Sequence, residues 1–476
     1  MSTEIKCGLE IHQQIDTHKL FCECPSILRN DEPEFEIMRK LHAVKGESGE
    51  VDIAAKHEAV QDREFIYQGY NTTCLVELDE EPPHLINPEA LRTALHISFL
   101  LNCEIFPIAQ VMRKTVVDGS NTSGFQRTMI ISRNGWIESK NGKVRIKGIF
   151  LEEDAARIVE KKENKAVYRL DRLGIPLVEI ATEPDIKSAE QCKEVALFIG
   201  DVLRSCKVKR GIGTIRQDVN ISIPGHPRVE IKGFQDIKMF VPVFENEIKR
   251  QQENLKLKKD LKSEVRNALV DGTTEFLRPM PGAARMYPET DLPLLRISKE
   301  IINEAKNTLP KLRSDVRSEL KQRGLTEEMI RLLTSENKIE EFESLLKIIN
   351  EPNLIVKTMI LIPKEIASHE KISTEKINEI LSLDIIESIL NSVASGKIRK
   401  DEIKHVMEEI VHGKKFEEAI KIEKIDLSEI ESEIAKIVKE KPGLSIGGYM
   451  GLIMEKFKGK ISGKDATEIL NRLMNR

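Results

Sequence analysis

Aromatic residues make up only 4% of this 476-residue chain, with a single tryptophan. That supply leaves few rings to stack on bases, so any contact with RNA has to run through backbone and shape. Long apolar runs are missing as well. No stretch approaches the ~18 uninterrupted apolar residues of a membrane helix. The opening MSTEIKCGLEIH lacks the apolar core of a signal peptide. Neither sign of charge dominates: 74 Lys and Arg stand against 78 Asp and Glu, a net charge of −4. A generally basic nucleic-acid coat is therefore excluded, and nucleic-acid contact needs local basic patches. Cysteines number seven, odd and widely spread, which fits a reduced, cytoplasmic protein without a membrane association.

Several catalytic signatures are also missing. There is no GxxxxGK[ST] phosphate loop, and Gly459–Asp465 lacks its spacing. Gly211 and Gly213 do not complete a dinucleotide fingerprint, and neither HExxH nor a Gly-x-Ser-x-Gly elbow occurs. Ser120, Ser123 and Lys114 lie close in sequence without the other parts of a hydrolytic triad. Nothing in the chain provides for release of ammonia from an amide donor. Cys22-x-Cys24 is the only close cysteine pair. It lacks a second pair at finger-like spacing, which leaves buried free thiols or a zinc site open.

What is present divides near the middle. At ~150 residues per domain the length suits about three domains. Glycine, proline and short β-like runs crowd the front, and helical, charge-rich text follows from about residue 300. The expected fold class is α+β, a mixed-sheet domain followed by an all-helical region with a small helical tail. The expected boundaries are 1–262 for the sheet domain and 263–299 for an extended, proline-rich connector returning to it. Residues 300–410 are expected to form a helical domain and 411–476 the tail. Asn87-Pro88-Glu89 ahead of Leu91 and Leu95 reads as a capped amphipathic helix. Residues 187–205 and 242–262 read as two more, the latter largely solvated.

Period-two alternation assigns strand faces. In Ile5–His12, Glu10 and His12 share a face opposite Cys7, Leu9 and Ile11. Leu177, Glu179, Ala181 and Glu183 line one side of the next such run. Asp218 falls opposite Val219 and Ile221, and Glu230 falls with Lys232 opposite Val229 and Ile231. Glu152, Glu153 and Asp154 stand in a row. Such acids either face solvent or, beside a histidine, line a site for a hard cation such as Mg2+.

Five motifs in this order carry a resemblance: Gly8–His12, Leu151–Ala155 (LEEDA), Pro176–Asp185 (PLVEIATEPD), Arg216–Ser222 (RQDVNIS) and Glu230–Lys232. Together they resemble the tRNA-dependent amidotransferase B/E family. CGLEIHQQ (7–14), DEEPPH (79–84), KTVVDGSNTSGFQRT (114–128) and RPMPGAARMYPETDLP (278–293) are similar to its archaeal E branch. The similarity runs over nearly the whole chain, but the aspartyl-tRNA-synthetase-like insert usual in that branch has no room here.

The resemblance implies ATP-dependent conversion of Glu-tRNA(Gln) to Gln-tRNA(Gln) through an acyl phosphate that ammonia attacks. It implies ATP and Mg2+, with His12, Glu153 and Glu179 on one metal. Glu10, Glu152, Asp218 and Glu230 are implied for a second metal or an ATP-bound one. Arg216 and Lys232 are either phosphate contacts or solvated strand residues. Lys114 is either on the ammonia route or a plain surface lysine. The implied partner is an asparaginase-like D subunit, in a heterodimer or a tetramer of two of each, with the helical tail gripping tRNA. There Lys456, Lys458, Lys460, Lys464, Arg472 and Arg476 outnumber Glu455, Asp465 and Glu468. A non-catalytic tRNA scaffold and a bacterial-type B subunit are the competing readings.

Overall fold

The structure is a computed structural model that describes residues 4–42, 45, 49–51, 55, 63–162, 164–211, 213–234, 237–258, 261–280, 286–336, 338–421, 427–457 and 463–474. The chain forms two compact units, Met1–Ser314 and Asp315–Arg476.

The first unit opens with β1 (Lys6–Gln14), β2 (Phe35–Arg39), β3 (Glu64–Gly69) and α1 (Pro88–Leu100). Two short strands, β4 (Glu104–Ile105) and β5 (Ile108–Ala109), precede β6 (Met112–Thr115), β7 (Phe125–Ser139) and β8 (Gly142–Glu153). Then come β9 (Arg157–Lys161), β10 (Lys165–Arg169), β11 (Pro176–Thr182), α2 (Ala189–Ser205), β12 (Ile215–Ser222) and β13 (Val229–Lys232). The unit ends with α3 (Phe240–Lys256), β14 (Glu264–Ala268), β15 (Thr274–Pro279), β16 (Met286–Pro288), β17 (Leu295–Arg296) and α4 (Lys299–Asn307).

One large sheet runs in the order β15-β14-β13-β12-β1-β11-β8-β7-β6-β16, with β4 also paired to β7. Its centre is antiparallel, while β13 and β14 run parallel. The alternation in β1 sends Leu9 and Ile11 to one face, with Val178 and Ile180 of β11 and Val219 and Ile221 of β12. Leu91 and Leu95 of α1, Val195 and Ile199 of α2 and Phe240 and Phe244 of α3 join them in one core. Each such side chain contributes about 1.5–3 kcal/mol when fully buried. With helices on one face, the polar residues of the same strands are left to build the other. A second sheet, β2-β3-β10-β9, packs Phe65, Tyr67 and Tyr168 into its own small core.

The caps follow from sequence. The Asn87 side chain accepts the backbone N–H groups of Glu89 and Ala90 at the start of α1, and Ser188 does the same for Gln191 at α2. α3 departs from the solvated helix expected of it, because Phe240, Val243 and Phe244 are buried with the polar Glu247, Gln251 and Asn254. Hydrogen bonds make that burial tolerable: Gln251 accepts from the Ile223 N–H and donates to Glu247. The expected connector is largely sheet, since β14 and β15 extend one edge and β16 closes the other. Prolines sit there without penalty because these are short edge strands.

The domain boundaries also differ from those expected. Ala305 of α4 is buried in the first unit's core, so that unit continues past residue 300. In the second unit, Ile403, Val406 and Ala419 belong to one helical core and Ile430, Ile434, Tyr449, Ile453 and Leu470 to another. The three tail helices are therefore Leu427–Glu440, Ile446–Lys456 and Gly463–Met474, and the stretch from 411 to 420 belongs with the helices before it. No helix among the described residues is long and apolar enough to cross a membrane, and all seven cysteines are free thiols.

Candidate active site

The open face of the large sheet carries a cavity of about 440 Å³. Strand register assembles it. Within β1, Glu10 pairs with Asp218 of β12, while His12 lies between Glu179 of β11 and Arg216 of β12. Glu10, Asp118, Glu152, Asp154, Glu179, Asp218 and Glu230 line it against the permanent cations Lys114, Arg216, Lys232 and Arg278. Four minus seven leaves a formal −3 before His12 is counted, a deficit that invites bound cations.

Two groups of ligand atoms converge. Those of His12, Glu152 and Glu179 lie within 4.8 Å of one another, as do those of Glu10, Asp218 and Glu230. Carboxylate oxygens with one imidazole are hard donors that suit Mg2+. His12 Nε2 sits 3.3 Å from Glu179, and the Lys114 ammonium is 2.5 Å from Glu152 and 4.0 Å from Glu179. In the other group Lys232 bridges Asp218 at 2.6 Å and Glu230 at 2.8 Å.

The charges perturb one another. Burial, then the charge of Glu179, pushes the Glu10 carboxyl up to about 7. Burial also opposes charge on Glu179, but the His12 bond and Lys114 outweigh it and hold that carboxyl at about 2. At His12 burial would lower the imidazole, and the Glu179 carboxylate reverses this and raises it above its ordinary value. Burial costs Lys232 as well, yet Asp218 and Glu230 carry it to about 12.

One expected ligand is placed elsewhere. Glu152 completes the set with His12 and Glu179, and Glu153 does not. Adjacent strand residues point to opposite faces, so Glu153 turns toward the buried side. There it meets Arg127 at 3.4 Å, and Arg127 donates to Glu289 at 2.9 Å. Arg113 also donates to Glu289 and stacks over Phe125. Glu289 follows β16, which pairs with β6, placing Met286 opposite Lys114. The motif RPMPGAARMYPETDLP thus braces the cavity wall, though its residues 281–285 lie outside the described ones.

The other expected residues are all in the cavity. Lys114 belongs to its wall and is largely buried, not a surface lysine. Arg216 is held by Asp154 at 2.8 Å, and Lys232 is held as above. Arg278, Arg127 and Glu289 were not singled out from sequence. In the tail, Lys456 pairs with Glu433 and Arg472 with Glu431. The side chains of Lys458, Lys460, Lys464, Asp465 and Arg476 lie outside the described residues.

A separate group lies on loops. Cys22, Cys24, Cys74 and Glu77 bring their ligand atoms within 4.8 Å of one another. Three thiols and a carboxylate can hold zinc. Hydrogen bonds from Cys22 and Cys24 depress the Cys74 thiol, while Glu77 receives the Cys74 N–H at 2.7 Å. The second pair missing from the sequence reading is Cys74-x-x-Glu77, concealed because its last member is not cysteine.

Residues 5–303 match the GatB/GatE catalytic domain. The chain is 37% identical to the E subunit of the glutamyl-tRNA(Gln) amidotransferase of Methanocaldococcus jannaschii, over 98% of each protein. It is 34% identical to the corresponding protein of Methanococcus maripaludis, over 97% of this chain and 96% of the relative, and 33% identical to that of Thermococcus sibiricus, over 99% and 98%. The chain belongs to the GatB/GatE family. The alignment with the first relative spans 622 positions; 622 minus 476 leaves at least 146 without a counterpart here. In keeping with the lack of room for an insert, β14 turns tightly onto β15, the Leu269 N–H donating to the Thr273 carbonyl and the Gly272 N–H to the Leu269 carbonyl.

Proposed function

We propose that this chain amidates the glutamyl group of Glu-tRNA(Gln), using ATP and Mg2+, with ammonia supplied by a partner amidohydrolase of asparaginase type. The observation that carries this reading is the pair of acid clusters, His12/Glu152/Glu179 and Glu10/Asp218/Glu230, on one cavity wall. A carboxylate is a poor acyl donor because oxide would have to leave. Attack of its γ-oxygen on the γ-phosphorus of ATP expels ADP and gives an acyl phosphate. Ammonia then attacks the carbonyl carbon, inorganic phosphate leaves, and nitrogen loses a proton. Mg2+ held by these acids would neutralise phosphate oxygens during the transfer. Lys114 orients Glu152, and Lys232 fixes Asp218 and Glu230 before substrate arrives.

The test supplies the purified chain with glutamylated tRNA(Gln), Mg-ATP and free ammonium, which bypasses the partner. Glutamine on the tRNA is the expected product. ADP formed only with charged tRNA would keep the kinase step here and give amide transfer to the assembled complex. tRNA binding with neither product would overturn the proposal in favour of a scaffold.

Mg2+ dependence is expected to vary with pH. A metal needs neutral His12 and ionised Glu10, and both are shifted toward the protonated form. Metal binding therefore releases protons, and the half-saturating Mg2+ concentration should fall as pH rises from 6 to 8. The slope is about tenfold per pH unit for each proton shed. A titration curve independent of pH would remove these two residues from the ligand set.

A further inference from the structure

Four permanent cations line the cavity, and three are engaged. Lys114 is bound to Glu152, Lys232 to Asp218 and Glu230, and Arg216 to Asp154. Among the described residues the fourth, Arg278, has a guanidinium that makes no hydrogen bond or ion pair, although against the effect of burial its charge, after that of Lys232, helps hold the Glu230 carboxyl below its usual range. A half-buried guanidinium left open at a cavity wall is a ready site for an anion.

The way Arg278 is presented strengthens this. It lies near the end of β15, the outermost strand of the sheet, opposite the buried Val265 of β14. Its neighbours Glu275, Phe276 and Leu277 are exposed, and the strand is half-buried at its two ends, at Thr274 and at Arg278 with Pro279. The hairpin is clamped to α3 by half-buried polar contacts. Glu247 accepts from Thr274 at 3.0 Å and from Arg250 at 2.8 Å. Arg250 also reaches Glu264 at 3.0 Å, and Asn246 donates to the Gly272 carbonyl at 2.9 Å. Arg266 donates to Thr274 Oγ1 at 2.8 Å. The clamp fixes the base of an arm whose tip reaches the cavity.

We propose that Arg278 binds the polyphosphate of the nucleotide in this cavity, and that Glu247 is a positioning residue acting through the β14–β15 hairpin. The inference rests on the amidation reading and adds to it the residue that holds the phosphates. Guanidinium is planar and weakly hydrated, and its paired N–H groups match two phosphate oxygens. Arg278 shares the cavity wall with Glu10, Asp218 and Glu230. Cations on those acids and a guanidinium facing them would grip a polyphosphate from two sides. A single tRNA phosphodiester, carrying one charge, would not use both.

The test measures equilibrium binding of Mg-ATP, and the KM values for ATP and for Glu-tRNA(Gln), in the parent, Arg278→Gln, Arg278→Lys and Glu247→Gln. In Arg278→Gln, Kd and KM for ATP should rise about 10- to 100-fold, the KM for Glu-tRNA(Gln) staying within about twofold. Arg278→Lys, which keeps the charge and loses the fork, should fall between. Glu247→Gln should raise the KM for ATP more than it lowers kcat, which a merely structural loss would not do. Melting temperatures of all four proteins separate binding from folding. Unchanged ATP affinity in both Arg278 variants, in a parent that turns over ATP, overturns the inference and leaves the amidation reading standing. A rise confined to the KM for Glu-tRNA(Gln) overturns it by making Arg278 an RNA contact. A parent that neither binds nor consumes ATP overturns both.

Discussion

Glu152→Gln and Glu179→Gln are each expected to cut ammonium-dependent glutamine formation by about a thousandfold, with tRNA affinity left within about twofold. Either change keeps the side-chain shape and removes one negative charge from the set shared with His12. Metal-assisted phosphoryl transfer draws several kcal/mol from charge neutralisation. About 4 kcal/mol lost is three powers of ten in rate. The neighbours make the two sites unequal. Glu152 holds Lys114 at 2.5 Å and receives Gln126 at 3.1 Å, so its loss also frees the lysine. Glu179 is the partner of His12, and without it the imidazole loses the contact that raises it. Glu153→Gln is the control, since Glu153 faces Arg127 on the other side of the strand. It should lower thermal stability more than the rate at a temperature where the protein is folded. A Glu153→Gln enzyme that is folded and inactive, beside a fully active Glu152→Gln enzyme, would reverse the assignment of the two faces.

How much of this was legible in the sequence varies from residue to residue. Glu10 and His12 could be placed together because Ile5–His12 alternates with Ile5, Cys7, Leu9 and Ile11 on one apolar face. The register that sets His12 beside Glu179 is a long-range property that no local pattern encodes. Glu152 and Glu153 could not be told apart because the preceding run Ile149-Phe150-Leu151 is apolar at every position and so does not fix the phase. Arg278 was hidden for a related reason: its strand is a short edge piece with proline at its end, which reads as a connector. Cys74 and Glu77 meet Cys22 and Cys24 only through loop closure across some fifty residues. The buried polar stripe of α3 looked solvated because its partners lie on β12 and the later hairpin. Local chemistry was readable, and pairing across distance was not.

Arg127→Met should lower stability by about 3–5 kcal/mol at pH 7.5, the usual cost of removing one partner from a buried ion pair. At ~2.1 cal/mol/K of unfolding entropy per residue, over the 314 residues of the first unit, that is a fall in Tm of about 5–8 °C. Arg127 is 5% exposed and Glu289 1%, so water cannot replace the lost guanidinium. The sign of the pH dependence follows from the carboxyls. In the parent, burial raises Glu289, but Arg113 and Arg127 outweigh it and hold the group below its usual range. Its stabilising share is thus present above the unfolded value of ~4.3 and fades as acid protonates it. In the variant, Glu153 and Glu289 lose a counter-charge while staying buried, so both move up and oppose folding wherever the unfolded chain would ionise them. The deficit should be largest between pH 7 and 8 and shrink toward pH 5, where protonation neutralises both. Adding Glu289→Gln to Arg127→Met should recover part of the loss at pH 7.5 and little at pH 5. A Tm difference that stayed constant across that range would mean that Arg127 acts through its packing over Phe125 and not through its charge. The charge of Glu289 would then be met chiefly by Arg113 of β6.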